Sequence, residues 1–179
     1  MKTTLQSLRL FLVLTVLTGI IYPLIITGVA QLAFPRQANG SQLQRNGAAI
    51  GSELLAQNFV SPRYFWPRPS AADFATIPSG ASNKGPTSAE LVEAIKTRRH
   101  KFGADAPGDL LTASGSGLDP HVTPAAAVFQ AERVAGSRGV PRAEIDKLIA
   151  QSIEQPQFGF LGEPRVNVLR LNLSLDEIH

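Results

Sequence analysis

Hydrophobic and polar positions divide the chain into one long apolar stretch near its start and a series of shorter amphipathic patterns. No charged residue occurs between Arg9 and Arg36, a gap of 26 residues rich in leucine, isoleucine and valine. A helix needs about 20 apolar residues to cross a bilayer, and in lipid it satisfies its own backbone groups. We therefore predict an N-terminal segment at 1–9, a transmembrane helix at 10–34, a polar connector at 35–51 and a soluble domain at 52–179.

A cleaved signal peptide is the alternative reading of the apolar stretch. Lys2 and Arg9 would form its basic front, and Gly28-Val29-Ala30 resembles a cleavage site with small residues. Signal-peptide cores contain about 7–15 apolar residues, and this stretch is much longer. The length therefore favours a helix that is retained as a membrane anchor.

Basic residues flank the apolar stretch on both sides and indicate its orientation. Lys2, Arg9 and the amino terminus precede it, whereas Arg36 and Arg45 follow it, so the positive charge is slightly greater before the helix. Positive charge concentrates on the cytoplasmic side of membrane helices. The bias favours a cytoplasmic N-terminus over 1–9 and a soluble domain on the outer side of the membrane.

Small and polar residues recur at helical spacing inside the anchor. Thr15, Thr18, Gly19 and Tyr22 fall on one predicted face, and Pro23 follows them. Small residues let a second helix approach closely, so this face is a candidate for packing against a partner helix. The alternative is that threonine and glycine are merely tolerated in lipid.

Three amphipathic patterns in the soluble part predict helices, and a fourth predicts a strand. Thr87 and Thr123-Pro124 are start signals for the first two helices, and the third covers 141–154. The segment 165–175 alternates like a strand with a bulge at Val168–Leu169. The predicted apolar faces are Leu91, Val92 and Ile95; Ala127, Val128, Ala131, Val134 and Ala135; and Ile145, Leu148, Ile149 and Ile153. Together these patterns predict one mixed α/β domain.

Three adjacent aromatic residues, Tyr64, Phe65 and Trp66, lie in the proline-rich segment Ser61–Ala71. Proline excludes this segment from a central strand. Aromatic side chains of this size bury a large apolar area. We expect them either to fill the domain's own core or to form a surface for a partner.

Composition and charge exclude several functional classes. The chain has no cysteine and a formal net charge of +3, so disulfides and thiol catalysis are absent. No basic stripe indicates nucleic-acid binding, since the cluster Arg98–Lys101 sits where a helix C-terminus attracts positive charge. No clustered histidine or carboxylate pattern predicts a metal site.

The stretch Thr112–Ala126, TASGSGLDPHVTPAA, combines residue types used in catalysis with residue types used in turns. A serine hydrolase needs a nucleophile, a base and an orienting carboxylate, but neither serine sits in a G-x-S-x-G motif. Glycines permit positive φ, and an aspartate before proline can form an Asx turn. We predict no catalytic residue here and a shaped loop instead. Its candidate partner-docking residues are Ser114, Gly115, Ser116, Gly117, Asp119 and His121.

Several motifs together resemble those of the C subunits of Kdp-type potassium-transporting ATPases. They are YFWPRPSA, SNKGPT, ASGSGLDPHVTPAAA and PRVNVLRLNLSLD, and they occur in the same order from the membrane helix to the C-terminus. The resemblance implies a bacterial single-pass inner-membrane subunit that neither transports nor hydrolyses by itself. It implies as partners a channel-like potassium-translocating A subunit, a P-type ATPase B subunit, a small F subunit and membrane lipid.

The resemblance also implies a catalytic chaperone that raises the affinity of the B subunit for ATP. Gln57, in SELLAQNF, would be the ATP-related residue, and ATP would be shared with the B subunit and not held tightly by this chain. An ATP-contacting domain must be cytoplasmic, whereas the charge bias places the domain outside. We therefore expect support of assembly as the main role. A stand-alone, membrane-anchored extracytoplasmic hydrolase or binding protein is the alternative.

Overall fold

The computed structural model describes residues 2–45 and 47–178. The chain divides into two compact units, Met1–Ser52 and Glu53–His179. The boundary lies next to the predicted start of the soluble domain. Each unit is described by itself below.

The first unit contains one long apolar helix. It consists of α1 (Lys2–Val16), a π-helical turn (Leu17–Ile21) and α2 (Tyr22–Ala33). Within the described residues it is the one helix with the length and composition to cross a membrane: 32 residues with a mean hydropathy of 2.4 in its most apolar window. Residues 2–9, which we predicted as a separate N-terminal segment, belong to the same helix.

The π-helical turn precedes Pro23, which lacks a backbone N–H and crowds the turn before it. The N–H of Tyr22 donates to the carbonyl of Leu17, five residues earlier. A wider turn of this kind is a common way for a helix to accommodate a local break in its hydrogen-bond ladder.

The predicted connector, 35–51, is folded and not simply extended. It contains the short helix α3 (Pro35–Ala38) and an antiparallel hairpin of β1 (Gln42–Arg45) and β2 (Ala48–Ser52). Sequence alternation does not reveal these strands, because neither of them has a buried face: β1 is mostly exposed, and β2 is exposed at its start and half-buried at its end.

The second unit is a mixed helix and strand domain, as predicted. Its strands β3 (His121–Val122), β4 (Ile153–Glu154) and β5 (Arg165–Asn167) form an antiparallel sheet in the order β3-β5-β4. Its helices are α4 (Ala89–Phe102), α5 (Gly108–Leu111), α6 (Pro124–Arg138), α7 (Arg142–Gln151) and α8 (Val168–Leu175).

The core of this unit lies between α6, α7, α8 and β5. Its fully buried apolar side chains include Val134, Ile145, Val166 and Leu171. The predicted face of α6 was wrong at Val128, which is 44% exposed. That helix buries Ala126 and Gln130 as well as the predicted alanines, so its buried face is rotated from the predicted one.

Capping residues set the helix starts. Thr123 caps α6 as predicted, because its hydroxyl accepts a hydrogen bond from the N–H of Ala126 at 3.2 Å. The cap of α4 is Ser88 and not Thr87, since the Ser88 hydroxyl accepts from the N–H of Leu91 at 3.4 Å. The face predicted for α4 is only partly covered, and Val92 is exposed.

The predicted C-terminal strand was wrong over most of its length. After the three residues of β5 the chain turns into α8, because the Asn167 side chain accepts a hydrogen bond from the N–H of Arg170 at 3.1 Å and caps the helix. Val168, Leu171 and Leu175 are buried at spacings of three and four, which is the period of a helix. The slip interpreted as a bulge was the start of this helix.

Candidate functional site

The aromatic residues of the proline-rich segment have different environments. Phe65 is completely buried in the core, which is the first of the two roles expected for this segment. Tyr64 and Trp66 are half-buried. The segment therefore anchors itself in the domain through Phe65 and leaves its neighbours partly accessible.

Two buried amide side chains hold the backbone of this segment. Asn172 on α8 accepts from the N–H of Phe65 at 2.8 Å and donates to its carbonyl at 3.0 Å. Gln130 on α6 likewise accepts from the N–H of Trp66 at 2.8 Å and donates to its carbonyl at 3.1 Å. The amides replace the partners that a neighbouring strand would supply, and the sequence analysis assigned a role to neither of them.

Arg133 fixes the same segment from outside. Its guanidinium donates to the carbonyls of Pro62 at 2.6 Å and Tyr64 at 3.0 Å, and it lies 3.7 Å from the centre of the Trp66 ring. Burial lowers the pKa of Arg133 to about 10. Lys101 also contacts the Trp66 ring, at 4.5 Å, so one member of the basic cluster at the end of α4 has a specific packing role.

The glycine loop predicted at 114–117 is packed against a second loop. Gly117 has a φ of +74°, and a Cβ atom there would lie 2.9 Å from the carbonyl oxygen of Gly80. The Ser79 hydroxyl donates to the carbonyl of Ser116 at 2.5 Å. The expectation of positive φ was wrong for Gly115, whose φ is not positive and which has open space where a Cβ atom would lie.

Hydrogen bonds occupy the backbone and the turn side chains of this loop. Ser114 is 2% exposed, and its N–H donates to the carbonyl of Pro69 at 3.0 Å. The Ser116 hydroxyl accepts from the N–H of Leu118 at 3.1 Å. Both serines therefore lie in positions where they shape the loop.

Asp119 and His121 form the predicted Asx turn. The Asp119 carboxylate accepts from the N–H of His121 at 3.0 Å, and its other oxygen accepts from Arg68 at 3.0 Å. The ring Nδ1 of His121 lies 3.7 Å from the same carboxylate, so the intervening proline does not separate the two side chains. Burial alone would raise the pKa of Asp119, but the contacts with His121 and Arg68 together lower it.

A polar cleft of about 340 Å³ opens beside this turn. Arg68, which sequence reasoning did not single out, lines it together with Asp109, Asp119 and His121. The Nε atom of Arg68 is buried and has no hydrogen-bond partner among the described residues. The Arg68–Asp119 pair joins positions 51 residues apart, which no local pattern in the sequence indicates.

Gln57 is half-buried next to the glycine loop. The preceding residue, Ala56, donates its N–H to the carbonyl of Leu118 at 3.0 Å. The following residues, Asn58 and Phe59, line a cleft of about 180 Å³ that also contacts the Trp66 ring. The structure thus brings Gln57 near two of the predicted docking elements.

The four residues of the predicted packing face of the membrane helix have different local environments. The hydroxyls of Thr15 and Thr18 donate to carbonyls one turn earlier in their own helix, at 2.8 and 2.7 Å. Gly19 lies inside the π-helical turn with open space where a Cβ would be. Tyr22 is 63% exposed. Gly19 thus leaves its backbone open on this face, and the packing of a partner helix there stays a prediction.

In residues 2–45 and 47–178 no group of three or more histidine or acidic side chains has metal-binding geometry. The titratable cluster of Asp119 with His121 and Arg68 has the geometry of a structural ion pair. The docking role of the loop residues around this pair stays a prediction.

Comparisons with known proteins place this arrangement in a family. A family model described as "KdpC: K+-transporting ATPase, c chain" matches residues 4–177. The chain is similar to curated relatives named "Potassium-transporting ATPase KdpC subunit" in several bacteria. It is 50% identical to that of Methylococcus capsulatus, covering 96% of both chains. It is 50% identical to that of Polaromonas naphthalenivorans, covering 99% of this chain and 96% of the relative. It is 52% identical to that of Acidobacterium capsulatum, covering 92% of both.

Proposed function

Because the chain belongs to the KdpC family of potassium-transporting ATPase subunits, we propose that it is an accessory, non-catalytic subunit of an ATP-driven potassium uptake complex. Its partners are a channel-like A subunit that carries potassium, a P-type ATPase B subunit and a small F subunit. In this role the chain supports assembly of the other subunits and performs no chemistry of its own.

The Asp119 turn carries this proposal. Asp119 is bound by Arg68 and by the N–H of His121, and Gly117 is pressed against the carbonyl of Gly80. A general base needs a carboxylate or imidazole free to exchange protons with a substrate. Here the same residue types fix the path of a loop, and stiff loops of this kind are suited to protein docking.

We place the complex in the bacterial plasma membrane with this chain as a single-pass subunit. The helix Lys2–Ala33 supplies the anchor, and the positive charge of the amino terminus together with Lys2 and Arg9 supports a cytoplasmic N-terminus. The second unit then lies outside the cytoplasm. Maleimide labelling tests this, because the chain has no cysteine of its own: an impermeant reagent should label a Lys147→Cys variant in intact cells, and labelling only after lysis would reverse the topology.

An effect on ATP affinity is a separate, finer proposal that rests on the resemblance. With the second unit outside the cytoplasm, Gln57 cannot touch ATP, and any effect on the B subunit must pass through the membrane-embedded subunits. A Gln57→Ala variant should therefore leave the Michaelis constant for ATP unchanged within about twofold. A rise of about tenfold in that constant would revive direct contact with the nucleotide.

Co-purification tests the accessory role. The chain, tagged at its C-terminus and extracted in mild detergent from its native membrane, should elute with a P-type ATPase and a multispanning membrane subunit. Elution of the intact chain alone would contradict the proposal and favour a stand-alone extracytoplasmic hydrolase or binding protein. The polar cleft beside Arg68 would then be its first candidate site.

A further inference from the structure

A rigid, uncharged loop tip exposes two phenylalanines and a leucine in the second unit. The aromatic tip, residues 157–161, leaves Phe158 87%, Phe160 75% and Leu161 50% exposed. Apolar groups are rarely displayed so fully in one place on a soluble surface, and such patches mark interaction sites. We propose that the aromatic tip inserts into the interface of the membrane that holds the N-terminal helix.

Backbone hydrogen bonds build the tip as a fixed structure. The N–H of Gln157 donates to the carbonyl of Leu161 at 3.0 Å, and the N–H of Leu161 donates back at 2.9 Å. The N–H of Gly159 adds a bond to the carbonyl of Pro156 at 3.0 Å. The geometry of the turn therefore holds the apolar side chains outward, and their exposure does not result from a lack of structure.

Phe158 adopts a backbone conformation that favours glycine. Its φ is +55°, which costs an ordinary residue about 1–2 kcal/mol relative to right-handed geometry. A glycine would fit this position without strain, yet the chain carries a large aromatic residue there. Strain of this kind is retained where the side chain has a task, and the described part of its own domain leaves the Phe158 ring uncovered.

Charge favours the membrane interface over an electrostatic partner. No charged residue occurs between Glu154 and Glu163, and Arg165 beyond them is paired with Glu154 at 3.0 Å. A tip of this composition enters the boundary between headgroups and acyl chains through its aromatic and aliphatic side chains. Binding should therefore need no anionic lipid.

The segment that connects the membrane helix to the second unit is short. Six residues separate Ala33, the end of the membrane helix, from Gly40, and they span about 20 Å at most. The hairpin that follows returns the chain to its start, since Ser52 pairs with Gln42 and its hydroxyl donates to the carbonyl of Gly40 at 2.7 Å. The second unit therefore begins only a short length of chain after the end of the membrane helix. The inference needs only the membrane anchor and goes beyond the proposed transport role.

Depth-dependent quenching tests the proposal on the full chain. A Gln157→Cys variant carries an environment-sensitive fluorophore and is placed, one copy per nanodisc, in phosphatidylcholine with a spin-labelled quencher lipid. We expect at least about threefold more quenching than for the same label at Glu144→Cys, an exposed position on α7. Replacing both phenylalanines, as Phe158→Gly with Phe160→Ser, should remove the excess, while an unchanged thermal transition shows that the fold is kept.

Each other outcome overturns insertion of the tip into lipid. Equal quenching at the two positions would show that the tip stays in water. Excess quenching that requires two copies per disc would assign the tip to a second copy of the chain. Excess quenching that requires anionic lipid would show that the tip is held by electrostatic attraction to charged headgroups. Protection of the label only in the assembled complex would show that a protein partner covers the tip.

Discussion

Removal of the Asn172 side chain should strongly destabilise the second unit. Asn172 is 2% exposed and satisfies both backbone groups of Phe65, which is itself completely buried. An Asn172→Ala variant leaves that N–H and that carbonyl without partners in a site that water does not reach. The perturbation therefore removes two hydrogen bonds and does not disturb any charged group.

The magnitude follows from the two orphaned groups. Each buried polar group left unsatisfied costs about 1–3 kcal/mol, which gives about 2–6 kcal/mol for the pair. Alanine is a better helix former than asparagine by up to about 0.7 kcal/mol, which offsets part of this cost. The expected loss is about 3 kcal/mol, a large fraction of the roughly 5–15 kcal/mol that typically stabilises a domain.

Denaturant titration of the full chain in detergent measures this loss. Trp66 is the only tryptophan and lies next to Phe65, so its emission reports unfolding of the second unit. The matched control is Gln151→Ala at an exposed position of α7, which should change the free energy of unfolding by less than about 0.5 kcal/mol. A cost for Asn172→Ala below about 1 kcal/mol, or equal to the control, would refute the role of the amide.

Three further substitutions test the loop, the turn and the membrane face. Gly117→Val should lower the free energy of unfolding by about 3 kcal/mol and reduce recovery of the complex, because it combines positive φ with a backbone clash. Gly115→Val is the matched control: a Cβ atom there meets open space, so the loss should be less than about 1 kcal/mol. Equal losses for the two variants in a denaturant titration would contradict this. Asp119→Asn should cost about 1–2 kcal/mol at pH 7. Because the folded-state pKa of Asp119 is lowered from its ordinary value of 3.8, that stabilisation is present above the unfolded pKa and is lost as pH falls through the folded one. The wild-type advantage should therefore shrink as pH falls below 3.8, and a constant difference would argue against the ion pair. Gly19→Leu should weaken complex recovery in detergent without changing the thermal transition of the second unit, and unchanged recovery would show that the small-residue face was only tolerated composition.

Local signals predicted the elements that depend on local chemistry. The Thr123 cap, the proline after it and the apolar spacing of α6 are all contained in a few adjacent residues, and the structure confirms the cap and most of the buried face. The long apolar helix was equally easy to predict, because the sequence shows it by the length of the apolar stretch and its lack of charged residues. The mixed fold class followed from these patterns.

The C-terminal helix was missed because two periods coexist in its sequence. Leu169, Leu171 and Leu175 alternate like a strand, but Leu171 and Leu175 also share the helical face with Asn172. To predict the helix from the sequence, one must place the polar residue Asn172 on its buried face. That choice depends on Phe65, 107 positions away, and no local pattern contains it.

The candidate site was predictable in its loop chemistry and unpredictable in its long-range contacts. The Asx turn and the positive φ of Gly117 follow from residue types. The contact of Gly117 with Gly80, the pairing of Arg68 with Asp119 and the Gln130 amide join segments far apart in the chain. Such contacts arise only when the domain packs.

The ATPase activity of the assembled complex most directly tests whether this chain is an accessory subunit whose loop is structural. Potassium-stimulated hydrolysis is measured per intact complex for Ser116→Ala and His121→Ala, with assembly quantified by size-exclusion chromatography. We expect both variants to assemble and to retain activity within about tenfold of the wild type, a barrier change of no more than about 1.4 kcal/mol. Removing a true nucleophile or base costs several orders of magnitude, so intact complexes that are inactive would contradict the structural role and assign chemistry to this loop.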